Sequence, residues 1–155
     1  MPVSKAEVEA VRSASRRLVR ELGFMKETLA GTALSPSAVH ALLELGARRV
    51  HSANELATAL HLEKSSVSRL LRKLADHDLV TEKIANEDAR RKLLSLTQKG
   101  RRTLAGIDRF AREQVLGALG RLGRQQRETV VQGLELYAGA LSDGGVDGCA
   151  QQPAR

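Results

Sequence analysis

The side chains best placed for chemistry lie between Glu63 and His77, and their types suit recognition rather than catalysis. At about 3.6 residues per turn, Val67, Leu70, Leu71 and Leu74 recur at i, i+3, i+4 and i+7, the stripe of a helix packed on a core. The opposite face carries Lys64, Ser65, Ser68, Arg69, Arg72 and Lys73. Short hydroxyls at a helix start, followed by guanidinium and ammonium groups, complement the base edges and phosphates of a DNA major groove. A charged helix face also arises simply to meet solvent, so the flanking segments decide between the two readings.

Those segments must position the face. Ser52-Ala-Asn-Glu55 has capping-box spacing and opens a short helix to about Leu60, with Leu56, Ala57 and Leu60 inward. His61-Leu62-Glu63 is a three-residue turn, so the two helices make a helix-turn-helix whose second member faces the groove. Glycine is common in such a turn. Here His61 stands in its place, so either that backbone position is strained or the turn differs slightly. After Asp78 the period changes: Leu79–Ile84 alternates, Ala85–Arg91 is polar, and Lys92-Leu-Leu-Ser-Leu-Thr97 is a second strand. This β-hairpin is a wing with Arg90, Arg91 and Lys92 in its tip region, and arginine there suits the concentrated negative potential of a narrow minor groove. Asp88 is spaced to orient one arginine by a forked pair. The alternative is that these cations only keep a sheet edge soluble.

Outside this lobe, residues from Ser4 to about Ala30 read as one long helix, started by a Ser4–Glu7 capping box and striped by Val8, Val11, Leu18, Val19, Leu22, Met25 and Leu29. Such a stripe needs a partner surface, which in a small protein is often a second subunit. Gly31–Leu34 is a break; Ser35-Pro36 then supplies N-cap and N1 of a helix to about Leu45, with Gly46 as its C-cap. Thr97 caps a helix to about Leu119 that begins with Lys99, Arg101 and Arg102. Cations at a helix start oppose its dipole, so another partner is expected for them, DNA phosphate among the candidates. A last helix spans about Arg124 to Leu141, and the glycine-rich residues 142–155 read as a disordered tail.

Composition narrows the partners. The 155 residues make one domain with room for a core, and 25 Lys plus Arg against 18 Asp plus Glu give a formal charge of +7, which favours nucleic acid or an acidic surface. An aromatic content of 2% leaves a core of Leu, Val and Ala and argues against single-strand binding by base stacking. Cys149 has no second cysteine to pair with, which fits a reducing compartment. No apolar run approaches the roughly 20 residues of a membrane span, and Met1–Glu7 lacks a signal-peptide core, so a cytoplasmic protein with no membrane partner is the default expectation. His40, His51, His61 and His77 are scattered, without metal-ligand spacing. Nucleophile elbow, phosphate loop and ligand cluster are all missing, so the expectation is no enzyme, no metal and no cofactor.

Taken in order, Leu34-Ser-Pro-Ser-Ala-Val-His-Ala-Leu-Leu43, Asn54-Glu-Leu-Ala57, Ser65-Ser-Val-Ser-Arg-Leu-Leu-Arg-Lys-Leu74 and Glu87-Asp-Ala-Arg-Arg-Lys-Leu-Leu-Ser-Leu-Thr-Gln-Lys-Gly100 resemble the MarR family of bacterial winged helix-turn-helix regulators. The resemblance runs from roughly Val8 to Leu141. It implies a mainly α fold with a small β-hairpin wing, paired as an intertwined α-helical dimer. Residues 1–141 would form the winged domain, with 4–30 and 98–141 as dimerisation helices and 35–97 as the DNA-binding lobe. By position, Ser65, Ser66, Ser68, Arg69 and Arg72 would face the major groove of double-stranded DNA, and Arg90 the minor groove. The family implies a homodimeric repressor on a palindromic operator, released by a small aromatic or anionic effector. Phe24, Met25, His40 and Phe110 are the candidates to line the effector crevice, with ordinary core as their alternative role. No cysteine lies near the first helix, so peroxide sensing by that route is not expected. The competing reading is a dimeric helical interaction module with a basic surface and no specific DNA target.

Overall fold

The computed structural model of the chain describes residues 2–84 and 92–143. Six helices and one hairpin follow in order among them: α1 Lys5–Glu21, α2 Pro36–Gly46, α3 Ala53–Leu60, α4 Lys64–Asp76, β1 Val80–Ile84, β2 Lys92–Leu96, α5 Gln98–Leu119 and α6 Arg124–Asp143. Two compact units divide the chain, Met1–Arg112 and Glu113–Arg155.

The core belongs to the first unit. Its largest fully buried side chains are Leu42, Leu56, Leu74, Ile107, Val39 and Val67, and none of its members is aromatic. Each such side chain contributes about 1.5–3 kcal/mol by leaving water. Helix α2 packs against α3, α4 and β2; α3 packs against α4, and α4 against β1. The wing is antiparallel, in register from Val80 opposite Leu96 to Ile84 opposite Lys92. The other edge of β2 is also engaged, because the Leu94 N–H donates to the His51 carbonyl at 2.8 Å. That bond ties the wing to the connector between α2 and α3.

Helix starts follow the expected chemistry. Ser4 and Glu7 form a closed capping box on α1, and hydrogen bonding to Ser4 holds the Glu7 carboxyl below its ordinary range. Ser35 caps α2 ahead of Pro36. The box expected at α3 is half made: Ser52 accepts from the Glu55 N–H, while the Glu55 carboxylate takes the N–H of His51 at 2.6 Å. That backbone bond is the main reason the Glu55 carboxyl lies low.

Helix ends depart from the sequence reading. Helix α1 stops at Glu21 and does not run to Ala30. Gly23 adopts φ 87, its N–H donates to the Arg20 carbonyl, and the Phe24 N–H donates to that of Val19. This pair of bonds is a Schellman closure. Helix α2 continues through Gly46, and the left-handed residue of its closure is Arg48, φ 54. Gly46 serves packing, since a Cβ there would strike the Leu104 side chain. The recognition-type helix α4 ends at Asp76, its closure carried by Asp78 at φ 58.

Candidate nucleic-acid interface

Helix α4 has two unlike faces. Val67, Leu70, Leu71 and Leu74 are buried, and Lys64, Ser65, Ser68, Arg69, Arg72 and Lys73 are exposed, with Ser66 half-buried between them. The sequence stripe and the observed buried set coincide. On the outer face the Ser68 hydroxyl donates to the Lys64 carbonyl at 2.9 Å, leaving its lone pairs outward. The Arg69 guanidinium donates to the Ser66 hydroxyl at 3.3 Å, which holds one arginine along the helix surface. Glu63 makes no side-chain cap, so the first turn of α4 is left to other acceptors.

The turn that aims this helix is strained where expected. His61 has φ 51 and ψ 43, while its N–H donates to Thr58 and that of Leu62 to Ala57. Leu62 is drawn in beside the core by that turn, and α4 packs against α3.

The wing-tip candidates Arg90 and Arg91 lie outside the described residues, as does Asp88. Lys92 pairs through its backbone with Ile84, and its side chain lies outside what is described. Two of the three cations at the start of α5, Lys99 and Arg101, have partners within the chain. Lys99 Nζ donates to the His77 carbonyl at 2.8 Å, and Arg101 Nη1 to the Leu96 carbonyl at 2.8 Å. These bonds answer the opposition to the helix dipole without DNA phosphate. Thr97 caps α5, accepting from the Gly100 N–H at 2.9 Å.

The proposed effector residues are only partly brought together. Phe24 stacks on His40, with ring centroids 5.6 Å apart and planes at 25°. Phe110 lies against Gly31, and Met25 is 75% exposed. His40 also borders a cavity of about 540 Å³ with Leu43, Glu44, Arg49, Leu104 and Asp108. Arg49 grips Glu44 there in a forked pair at 3.0 and 2.9 Å, which lowers the Glu44 pKa. A second cleft, of about 600 Å³, was not legible in the sequence. Arg48, His51, Lys83 and Arg101 line it beside Leu94 and Leu104, residues from four separate segments with no common period. Among the described residues no group of three or more His, Cys, Asp or Glu is placed to hold a metal ion, and no helix is long and apolar enough to cross a membrane.

Comparison with known proteins agrees with this geometry. Residues 34–92 match the sequence profile of the MarR family. No curated protein matches the chain. Among solved structures, a probable transcriptional regulator from Pseudomonas aeruginosa is 26% identical, with TM-score 0.63 over 83% of this chain and 93% of that one. The S. aureus MepR–DNA complex is 22% identical, with TM-score 0.64 over 86% and 96%. Bordetella bronchiseptica BpsR, solved in a study of how 6-hydroxynicotinic acid regulates its DNA binding, is 19% identical, with TM-score 0.65 over 84% and 98%. These likenesses establish the winged-helix fold.

Proposed function

We propose that this chain, a DNA-binding transcriptional regulator carrying a MarR-family domain over residues 34–92, acts as a homodimeric repressor of a palindromic operator and is released by a small effector. The observation that carries the reading is the exposed Ser/Arg/Lys face of α4, rigidly backed by its own buried stripe inside a winged helix-turn-helix. In it, Lys64, Ser65, Ser66, Ser68, Arg69, Arg72 and Lys73 meet the major groove, and Arg90, Arg91 and Lys92 meet the backbone and minor groove.

Dimerisation is supported by apolar surface left open in each unit. Helix α1 buries no residue, and Val8, Val11, Leu18 and Val19 are each 41–43% exposed. Helix α6 leaves Val130, Val131, Leu134, Tyr137 and Leu141 exposed. Apolar stripes of this length belong against another surface. The effector reading is supported by the cavity beside His40 and by the 6-hydroxynicotinic acid named for BpsR. A small aromatic or anionic molecule is the class expected.

Selection of bound fragments from a random duplex pool at two salt concentrations tests the proposal. An inverted repeat with half-sites about one helical turn apart is expected. Retention without enrichment, fading steeply with salt, would reduce the protein to a non-specific basic binder. No retention at either salt would leave the interaction module instead.

A further inference from the structure

We infer that Thr97, Lys99 and Gly100 are positioning residues for DNA recognition: they clamp the C-terminal end of α4 to the first turn of α5 and so set the direction of the α4 face without touching DNA. The inference rests on the DNA-binding reading above.

The clamp takes three successive carbonyls. His77 O accepts from Lys99 Nζ at 2.8 Å, Asp78 O from Thr97 Oγ1 at 2.6 Å, and Leu79 O from the Thr97 N–H at 3.1 Å. A helix end exposed to water leaves its last carbonyls to solvent. Here those just past α4 are taken by one four-residue stretch of another element. The fourth member acts by having no side chain. Gly100 is buried, and a Cβ on it would run into the Leu79 carbonyl oxygen. Backbone atoms cannot rotate out of the way as a side chain does, so either α5 or the end of α4 would have to move.

On the α4 side the same residues are already held. Asp78 sits at φ 58, the Leu79 N–H donates back to the Leu74 carbonyl at 2.9 Å, and Leu79 is buried. The end of α4 therefore has little freedom except as a unit with α5. Leverage then matters. Helix α4 has 13 residues, and at about 1.5 Å each it is roughly 20 Å long. A tilt of about 10° at the clamp would displace its Lys64 end by about 3 Å, as large as a whole hydrogen-bond length. Specific readout would fail, while attraction of the basic face to phosphate would persist.

The test measures affinity for the selected operator and for an unrelated duplex across a salt series, with circular dichroism and thermal melts on each variant. The wild-type protein is read first: no preference for the operator would refute the DNA-recognition reading, and this inference with it. With that preference present, Gly100→Ala and Lys99→Met should each weaken operator binding by about tenfold or more, the scale of a lost base contact. Binding to the unrelated duplex and its salt slope should hold. Lys99→Arg and Thr97→Ser, which keep the donors, should retain operator binding. If Gly100→Ala fails to fold, Lys99→Met decides alone, because its side chain is exposed. Equal loss on both duplexes with a salt slope shallower by about 1 would make Lys99 a phosphate contact and overturn the inference. Unchanged operator affinity in folded Lys99→Met would overturn it as well.

Discussion

A left-handed backbone costs a residue with a Cβ about 1–2 kcal/mol, and His61 sits there at φ 51. Replacing His61 with glycine should raise stability by about 1 kcal/mol, seen as a higher denaturant midpoint with unchanged slope. A fall in stability would mean that the imidazole makes contacts outweighing the strain. On the outer face of α4, Arg72→Ala tests the phosphate role. It should weaken operator and unrelated duplex alike and lower the salt slope by about 1; loss confined to one base position would make Arg72 a base reader. The residue scale also shows what a sequence displays and what it hides. Apolar period alone identifies Val67, Leu70, Leu71 and Leu74, since burial selects side-chain type directly. It does not reveal Arg48 or Asp78 as left-handed residues. Their conformation is imposed by the pair of bonds that closes the preceding helix, and only at Gly23 does residue type announce it.

Among elements, α4 is bound to the lobe by its stripe. Leu74→Ala should cost about 2–5 kcal/mol, read by chemical denaturation, because Leu74 is 1% exposed and its neighbours on α2, α3 and β1 cannot all collapse inward. A cost below 1 kcal/mol would mean the lobe repacks freely. The wing strands and the starts of α2, α3 and α5 were legible because caps, prolines and alternation are local signals. The end of α1 was not. Leu22, Met25 and Leu29 prolong the helical period past Gly23, yet the backbone there is turned, and Leu29 reaches the core from a loop. Periodicity reports which way side chains face, and a turn can preserve that facing after the helix has ended. The clamp at Thr97–Gly100 escaped for a different reason: its acceptors are backbone atoms, which carry no sequence signature.

At the scale of the whole molecule the exposed stripes of α1 and α6 predict association. Leu18→Glu, placing a charge on a face where Leu18 is 43% exposed, should convert a dimer to monomer by light scattering and abolish high-affinity operator binding. A variant that stays dimeric would remove α1 from the interface. The pairing itself is expected only from the family resemblance and from a stripe with no cover in sight, since a partner lies outside any one chain. The single bond from Leu94 to His51 has a consequence for time rather than for shape. Everything from α3 through β1 lies inside the loop it closes, so forming it carries the entropy cost of closing a long loop, and closure of this length is slow relative to helix formation. The Leu94 amide should therefore exchange with solvent deuterium only when the entire lobe opens, at a rate that reports global unfolding.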